Sequence, residues 1–98
     1  MIIRVVRMTF KEEAVEQFLE IFDNSKDKIR SFPGCQHLQL LVDAHAKNVF
    51  STYSIWEKED DLNEYRNSEL FGAVWPETKR LFAAPPIAQS YIQKIKLD

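Results

Sequence analysis

Apolar positions in this chain follow two spacings, and the switches between them divide the sequence into six stretches. The first, Ile2–Thr9, has Ile2, Arg4, Val6 and Met8 on one side of a two-residue alternation and Ile3, Val5, Arg7 and Thr9 on the other. A strand apolar on both sides is covered on both, so it belongs near the centre of its sheet. Thr9-Phe10-Lys11-Glu12 has the S/T-x-x-E form of a capping box. Ala14, Val15, Phe18, Leu19, Phe22 and Ile29 then recur at helical spacing and predict a helix over 11–31. Its solvated face carries Glu13, Glu16, Glu20, Asp23 and Asp27. Phe32-Pro33-Gly34-Cys35 ends that helix, because proline cannot continue it and glycine permits a left-handed turn.

Alternation returns over 35–42, with Leu38, Leu40 and Val42 on one face and Cys35, His37, Gln39 and Leu41 on the other. A polar turn over 43–47 leads to a third strand over 48–56, with Phe50, Thr52, Ser54 and Trp56 on one face and Tyr53 and Ile55 on the other. From Lys58 the spacing is helical again, with Leu62 and Tyr65 turned inward. Asn67-Ser68 breaks the helix and offers a new N-cap. Leu70, Phe71, Val74 and Trp75 make the next helix, and Pro76, four residues after Gly72, predicts a kink or restart at Trp75–Pro76. Ala83-Ala84-Pro85-Pro86 closes the helical region, and 87–95 reads as the last strand.

The order is β-α-β-β-α-β over a single domain, 1–98, with no repeat or linker. It implies an α+β fold of the ferredoxin-like split βαβ kind: an antiparallel four-stranded sheet with helices on one face. The face turned away from the helices is expected to carry Val6, Met8, Leu41, Phe50, Trp56, Tyr91 and Ile95. So much apolar surface calls for a cover, most simply the same face of a second subunit.

Composition narrows the function classes. A net charge of −2 argues against a general nucleic-acid binder. One cysteine, Cys35, cannot form an internal disulfide and fits a reducing compartment. MIIRVVRMTF lacks the core and cleavage site of a signal peptide, and no apolar run is long enough to span a membrane. A cytoplasmic protein is expected.

The element order, the Phe32-Pro33-Gly34-Cys35 turn, Trp56 closing a strand before an acidic helix start, Ser68 and Phe71, and the Pro85-containing turn together resemble the antibiotic biosynthesis monooxygenase-like domains of the dimeric α+β barrel superfamily. The resemblance covers almost the whole chain. It implies a homodimer whose sheets close into a barrel, with a pocket in each subunit between sheet and helices. Some members oxidise phenolic or quinol-type compounds with O₂ and neither metal nor flavin. In this alignment Trp56 matches a strand-end tryptophan that lines the cavity of oxygenating members. Thr52 stands where they place a polar pocket residue, and Tyr65 where many have histidine. Haem-degrading relatives use an Asn, Trp and His set, and Val6, Tyr65 and Trp75 stand at those places. All three differ, and neither Val6 nor Trp75 can ligate iron, which sets haem degradation aside.

The resemblance and the residues lead to one expected site. Trp56, Tyr65 and His37 are the candidate catalytic residues. Trp56 offers an indole N–H, Tyr65 a phenol to bond a substrate oxygen, and His37 a base in the working pH range. Thr52, Phe71 and Trp75 are the candidate substrate-binding residues. Arg4 could offset an anionic substrate, although an inter-subunit ion pair is the better reading of it. Cys35 and His37 lie two apart as metal ligands can, but a third ligand is missing, so no metal, haem or flavin is expected. The expected function is a homodimeric, cofactor-independent monooxygenase acting on a small aromatic or quinol-like molecule. The alternative is a non-catalytic dimeric module that binds a small apolar ligand or serves as an accessory subunit.

Overall fold

The computed structural model describes residues 1–98. The first strand, β1 (Ile2–Thr9), is central, as its two apolar faces require: it pairs with β3 (Val49–Trp56) on one side and β4 (Ile87–Ile92) on the other. β2 (Cys35–Val42) pairs with the far side of β3, giving the order β2-β3-β1-β4 with every neighbour antiparallel. Three helices, α1 (Val15–Arg30), α2 (Glu59–Arg66) and α3 (Glu69–Lys79), complete an α+β ferredoxin-like fold. No helix is long and apolar enough to cross a membrane.

All three helices sit on one face of the sheet. Phe18 of α1 packs against Met8, Phe10 and Phe50, with Trp75 of α3 against the same cluster, while Leu62 and Tyr65 of α2 pack on Trp56 and Cys35. Phe10 is fully enclosed and stacks on Phe18 with ring centroids 4.1 Å apart. Strand pairing fixes what else shares this face. Leu38, Ser54, Arg4 and Ser90 lie in one row across the four strands, and Leu40, Thr52, Val6 and Ala88 in the next. The outward rows are His37, Ile55, Ile3, Tyr91 and then Gln39, Tyr53, Val5, Gln89.

This register corrects the expected outer face. Val6, Met8, Phe50 and Trp56 face the helices; of the residues named for the other side, Leu41 and Tyr91 do lie there. Ile95 lies beyond the end of β4, which stops at Ile92. The outer face is still apolar, through Ile3, Val5, Leu41, Tyr53, Ile55, Ile87 and Tyr91, and all of β4 is exposed.

Several local expectations also change. Thr9 is held in the sheet opposite Val49 and its carbonyl accepts from Ala83 N at 2.8 Å, so it does not cap the helix. The chain instead enters α1 through a 3-10 turn, Glu12–Ala14, with no side-chain cap. Ser68 does cap α3, its Oγ accepting from Phe71 N at 3.2 Å. α3 then runs through Pro76 without restarting. The proline leaves the Gly72 carbonyl without its usual donor, and Gly72 has no side chain to crowd the turn. Gly34, at φ +88°, makes the tight turn into β2, where its carbonyl accepts from Glu57 N at 2.8 Å.

Candidate functional site

The sheet rows that face the helices do not fill the space beneath them. Small and polar side chains, Thr52, Ser54 and Ala88, stand where larger ones would meet α2 and α3. A cavity of about 310 Å³ remains between the sheet and the helices, within the range of small-molecule sites. Val6, Leu38 and Thr52 form part of its floor, and Phe22, Leu62, Phe71, Val74 and Trp75 part of its walls.

Its aromatic wall is continuous. Trp56 stacks on Tyr65 at 5.1 Å, Tyr65 meets Phe71 edge to face at 5.2 Å, and Phe71 stacks on Trp75 at 5.6 Å. The Ser68 cap turns the chain between α2 and α3, so Tyr65 at the end of one helix and Phe71 at the start of the next reach the same space. Such rings can flank a planar ligand.

Five of the six expected site residues therefore line one cavity: Thr52, Trp56, Tyr65, Phe71 and Trp75. His37 does not. It lies on the outward face of β2, edge to face with Tyr53 at 5.8 Å, and so cannot serve as a base in this cavity. A β-bulge between Cys35 and His37 is responsible for separating these two residues. It turns Cys35 inward against Trp56 and Leu62 and leaves His37 outside, which breaks the expected shared face. No three His, Cys, Asp or Glu side chains come together as a metal site would need.

The polar groups differ from those expected. Trp56 is 1% exposed, and its indole N–H donates to Ser54 Oγ at 3.0 Å. That N–H is engaged, so Ser54, which also lines the cavity, is the group able to present a hydroxyl there. Burial, with a smaller effect from Cys35, pushes the Tyr65 phenol up to about 12. At neutral pH it is a proton donor, not a base. Burial likewise raises the Cys35 thiol above its ordinary value. Arg4 and Arg66 also line the cavity, and no aspartate, glutamate, histidine or lysine does. Ser54 was legible as a face-mate of Thr52 and Trp56. Arg66 carried no local signal, because a basic residue closing a helix is ordinary.

A sheet, three helices on one side and an apolar, aromatic-walled cavity between them define an α+β domain of the ferredoxin-like kind. A sequence model of the family described as antibiotic biosynthesis monooxygenase matches residues 1–75, and the chain belongs to that family. No curated protein matches the chain in sequence. Among solved structures, a conserved protein from Methanosarcina mazei Go1 is similar at TM-score 0.90 and 19% identity, covering 96% of this chain and 94% of its own. A second, described as an antibiotic biosynthesis monooxygenase, is similar at TM-score 0.91 and 19% identity, with coverages of 97% and 100%. Rv0793 from Mycobacterium tuberculosis is similar at TM-score 0.90 and 14% identity, with coverages of 99% and 98%. At these identities the likeness is one of fold.

Proposed function

We propose that this chain is a cytoplasmic, cofactor-independent monooxygenase that acts on a small aromatic or quinol-like substrate held in the cavity against the aromatic wall of Trp56, Tyr65, Phe71 and Trp75. The observation that carries this reading is the cavity itself, aromatic-walled and lying between the sheet and helices in a chain of this family. The reaction balances without an external reductant when the substrate is an activated methylene flanked by aromatic rings. Its carbanion or enolate passes electrons to O₂; one oxygen atom becomes a ring carbonyl, and the other leaves as water with two hydrogens from the substrate. The protein's part is to exclude water, orient the ring and offer donors from Thr52, Ser54 and Tyr65 to the developing oxyanion. Trp56 acts in this reading as a packed wall that fixes Ser54, and Phe71 and Trp75 continue that wall.

The active form is proposed to be a homodimer joined through the outward sheet face. Only 14 of the 98 residues are buried in one subunit, and Leu41, Ile87 and Tyr91 stand exposed on that face, a surface that favours a partner.

The test is oxygen uptake by metal- and flavin-free protein offered a panel of anthrones, naphthols and quinols. Protein-dependent uptake, abolished when Thr52→Phe fills the cavity, is the expected result. Saturable binding of these compounds with no uptake would support instead a non-catalytic binding module. A specific observation favours that second reading: with His37 outside and the Tyr65 phenol near 12, the cavity holds no side-chain base for neutral pH.

A further inference from the structure

Every charge that lines the cavity is positive, in a chain whose net charge is −2. Arg4 rises from the central strand, in the row between Ser54 and Ser90. Arg66 comes from the last turn of α2. Neither takes part in any of the protein's ion pairs, which are Lys26–Asp23, Arg80–Glu77 and Lys96–Asp98. The Arg4 side chain makes one hydrogen bond, donating to Ser90 Oγ at 3.0 Å. A guanidinium has five N–H groups in a fixed fork, so most of its capacity to donate is free.

From this arrangement we infer that the cavity takes an aromatic ligand bearing an anionic oxygen, a carboxylate or an acidic enolate or phenolate, which Arg4 and Arg66 hold while the rings lie against the aromatic wall. The inference rests on the reading that this cavity is the substrate site, and it names the substrate's chemical class. Burial first, and the neighbouring Arg66 second, push the Arg4 guanidinium below its ordinary value. Arg66 is exposed and stands at the mouth of the cavity, with Arg4 half-buried below it; like charges so placed repel, and an anion between them relieves the repulsion. An ion pair with a second subunit does not account for Arg4, because its side chain is on the helix face of the sheet and the apolar face is the opposite one. Where the anionic oxygen is an enolate or phenolate, the pair also answers the missing base, because two guanidiniums favour the ionised form; a carboxylate anchors the ligand without activating the carbon that reacts.

The test compares 2-naphthoate with 2-naphthamide, a neutral probe of nearly the same shape, by calorimetric titration in low salt. We expect the wild-type protein to bind the carboxylate at least tenfold more tightly. The ratio of the two affinities should fall in Arg4→Gln and in Arg66→Gln and approach one in the double variant. Arg4→Lys, which keeps the charge but loses the fork, should retain part of the preference. Using the ratio removes any general damage to the cavity, and circular dichroism confirms that each variant is folded. Equal affinity for the two probes, no binding of either at millimolar concentration, or a preference that survives the double variant overturns the inference. None of these readouts needs oxygen. A folded protein that prefers the anion but consumes no O₂ refutes the monooxygenase reading and leaves this one standing.

Discussion

Replacing Trp56 by phenylalanine tests how the wall of the cavity is built. The indole is 1% exposed, stacked on Tyr65 at 5.1 Å, set edge-on to Phe32 at 6.3 Å, and bonded through its N–H to Ser54 Oγ at 3.0 Å. Trp56→Phe removes that hydrogen bond, a net loss of about 0.5–1.5 kcal/mol. It also leaves a void where the second ring was. Full truncation of a buried Trp or Phe to Ala costs roughly 3–5 kcal/mol, so the partial loss here should be about 1–2 kcal/mol. The sum, about 1.5–3.5 kcal/mol, corresponds to a fall in Tm of roughly 6–28 °C for a domain of this size. Urea unfolding of wild type, Trp56→Phe, Ser54→Ala and the double variant separates the two contributions. Ser54→Ala alone strands a buried N–H and should cost about 1–3 kcal/mol. The double variant should be more stable than the sum of the singles implies, by about 0.5–1.5 kcal/mol, because the same bond is lost in both. A Tm change under about 3 °C for Trp56→Phe, or strict additivity in the cycle, refutes the packed and hydrogen-bonded wall.

Three further outcomes follow from the geometry. Gly34→Ala should destabilise by about 1–3 kcal/mol in thermal melts, since φ is +88° and a Cβ would come within 2.3 Å of Asp61 Cγ; a melt within 1 °C of wild type would contradict this. The Tyr65 phenol titrates at about 12 against 10.0 for an unburied tyrosine, so one of the three tyrosines should ionise late in an absorbance titration. Between about pH 10 and 12 the unfolded chain loses this proton before the folded one does. Stability should therefore fall as pH rises through that window, by about 2–3 kcal/mol in all, and be fully retained and independent of this group's titration below it. Leu41→Asp places a charge on the outward sheet face and should convert dimer to monomer in sedimentation or unfold the chain; unchanged mass and melting temperature would count against assembly through that face.

The sequence carried the fold in its periodicities. Two-residue alternation in 35–42 and the aromatic strand ending at Trp56 placed β2 and β3 within a residue of their observed limits. What alternation cannot give is which side of the sheet a doubly apolar strand turns to the helices. In β1 both phases are apolar, and only its register with β3, Val6 opposite Thr52 and Met8 opposite Phe50, decides. That long-range pairing is why Val6, Met8 and Phe50 were expected outside and are found in the core. The Cys35–His37 bulge adds one residue out of phase and so splits an expected pair. The capping box at Thr9 lost to the sheet, which holds that residue more firmly than a helix start could.

For the site, the resemblance named Thr52, Trp56, Tyr65, Phe71 and Trp75, which line one cavity, whereas the alternation had set Trp56 on the outer face. Arg4 was legible as a group able to offset an anion, but its pairing with Arg66 was not. Arg4 and Arg66 are 62 positions apart, one in a central strand and one closing a helix, and only the assembled fold turns them to the same space. Nor does any local pattern show that the Trp56 N–H is satisfied two residues away, by Ser54.

Isotope labelling tests most directly the proposal that this cavity inserts oxygen from O₂ without a cofactor. Metal- and flavin-free protein is incubated under oxygen-18 gas with an anthrone bearing a carboxylate, and the product is weighed by mass spectrometry. The account predicts a quinone carrying one labelled oxygen atom, formed with one O₂ consumed per substrate, and no product above background from the Thr52→Phe variant. A label that enters from water, or product formed equally by the cavity-filled variant, would contradict it.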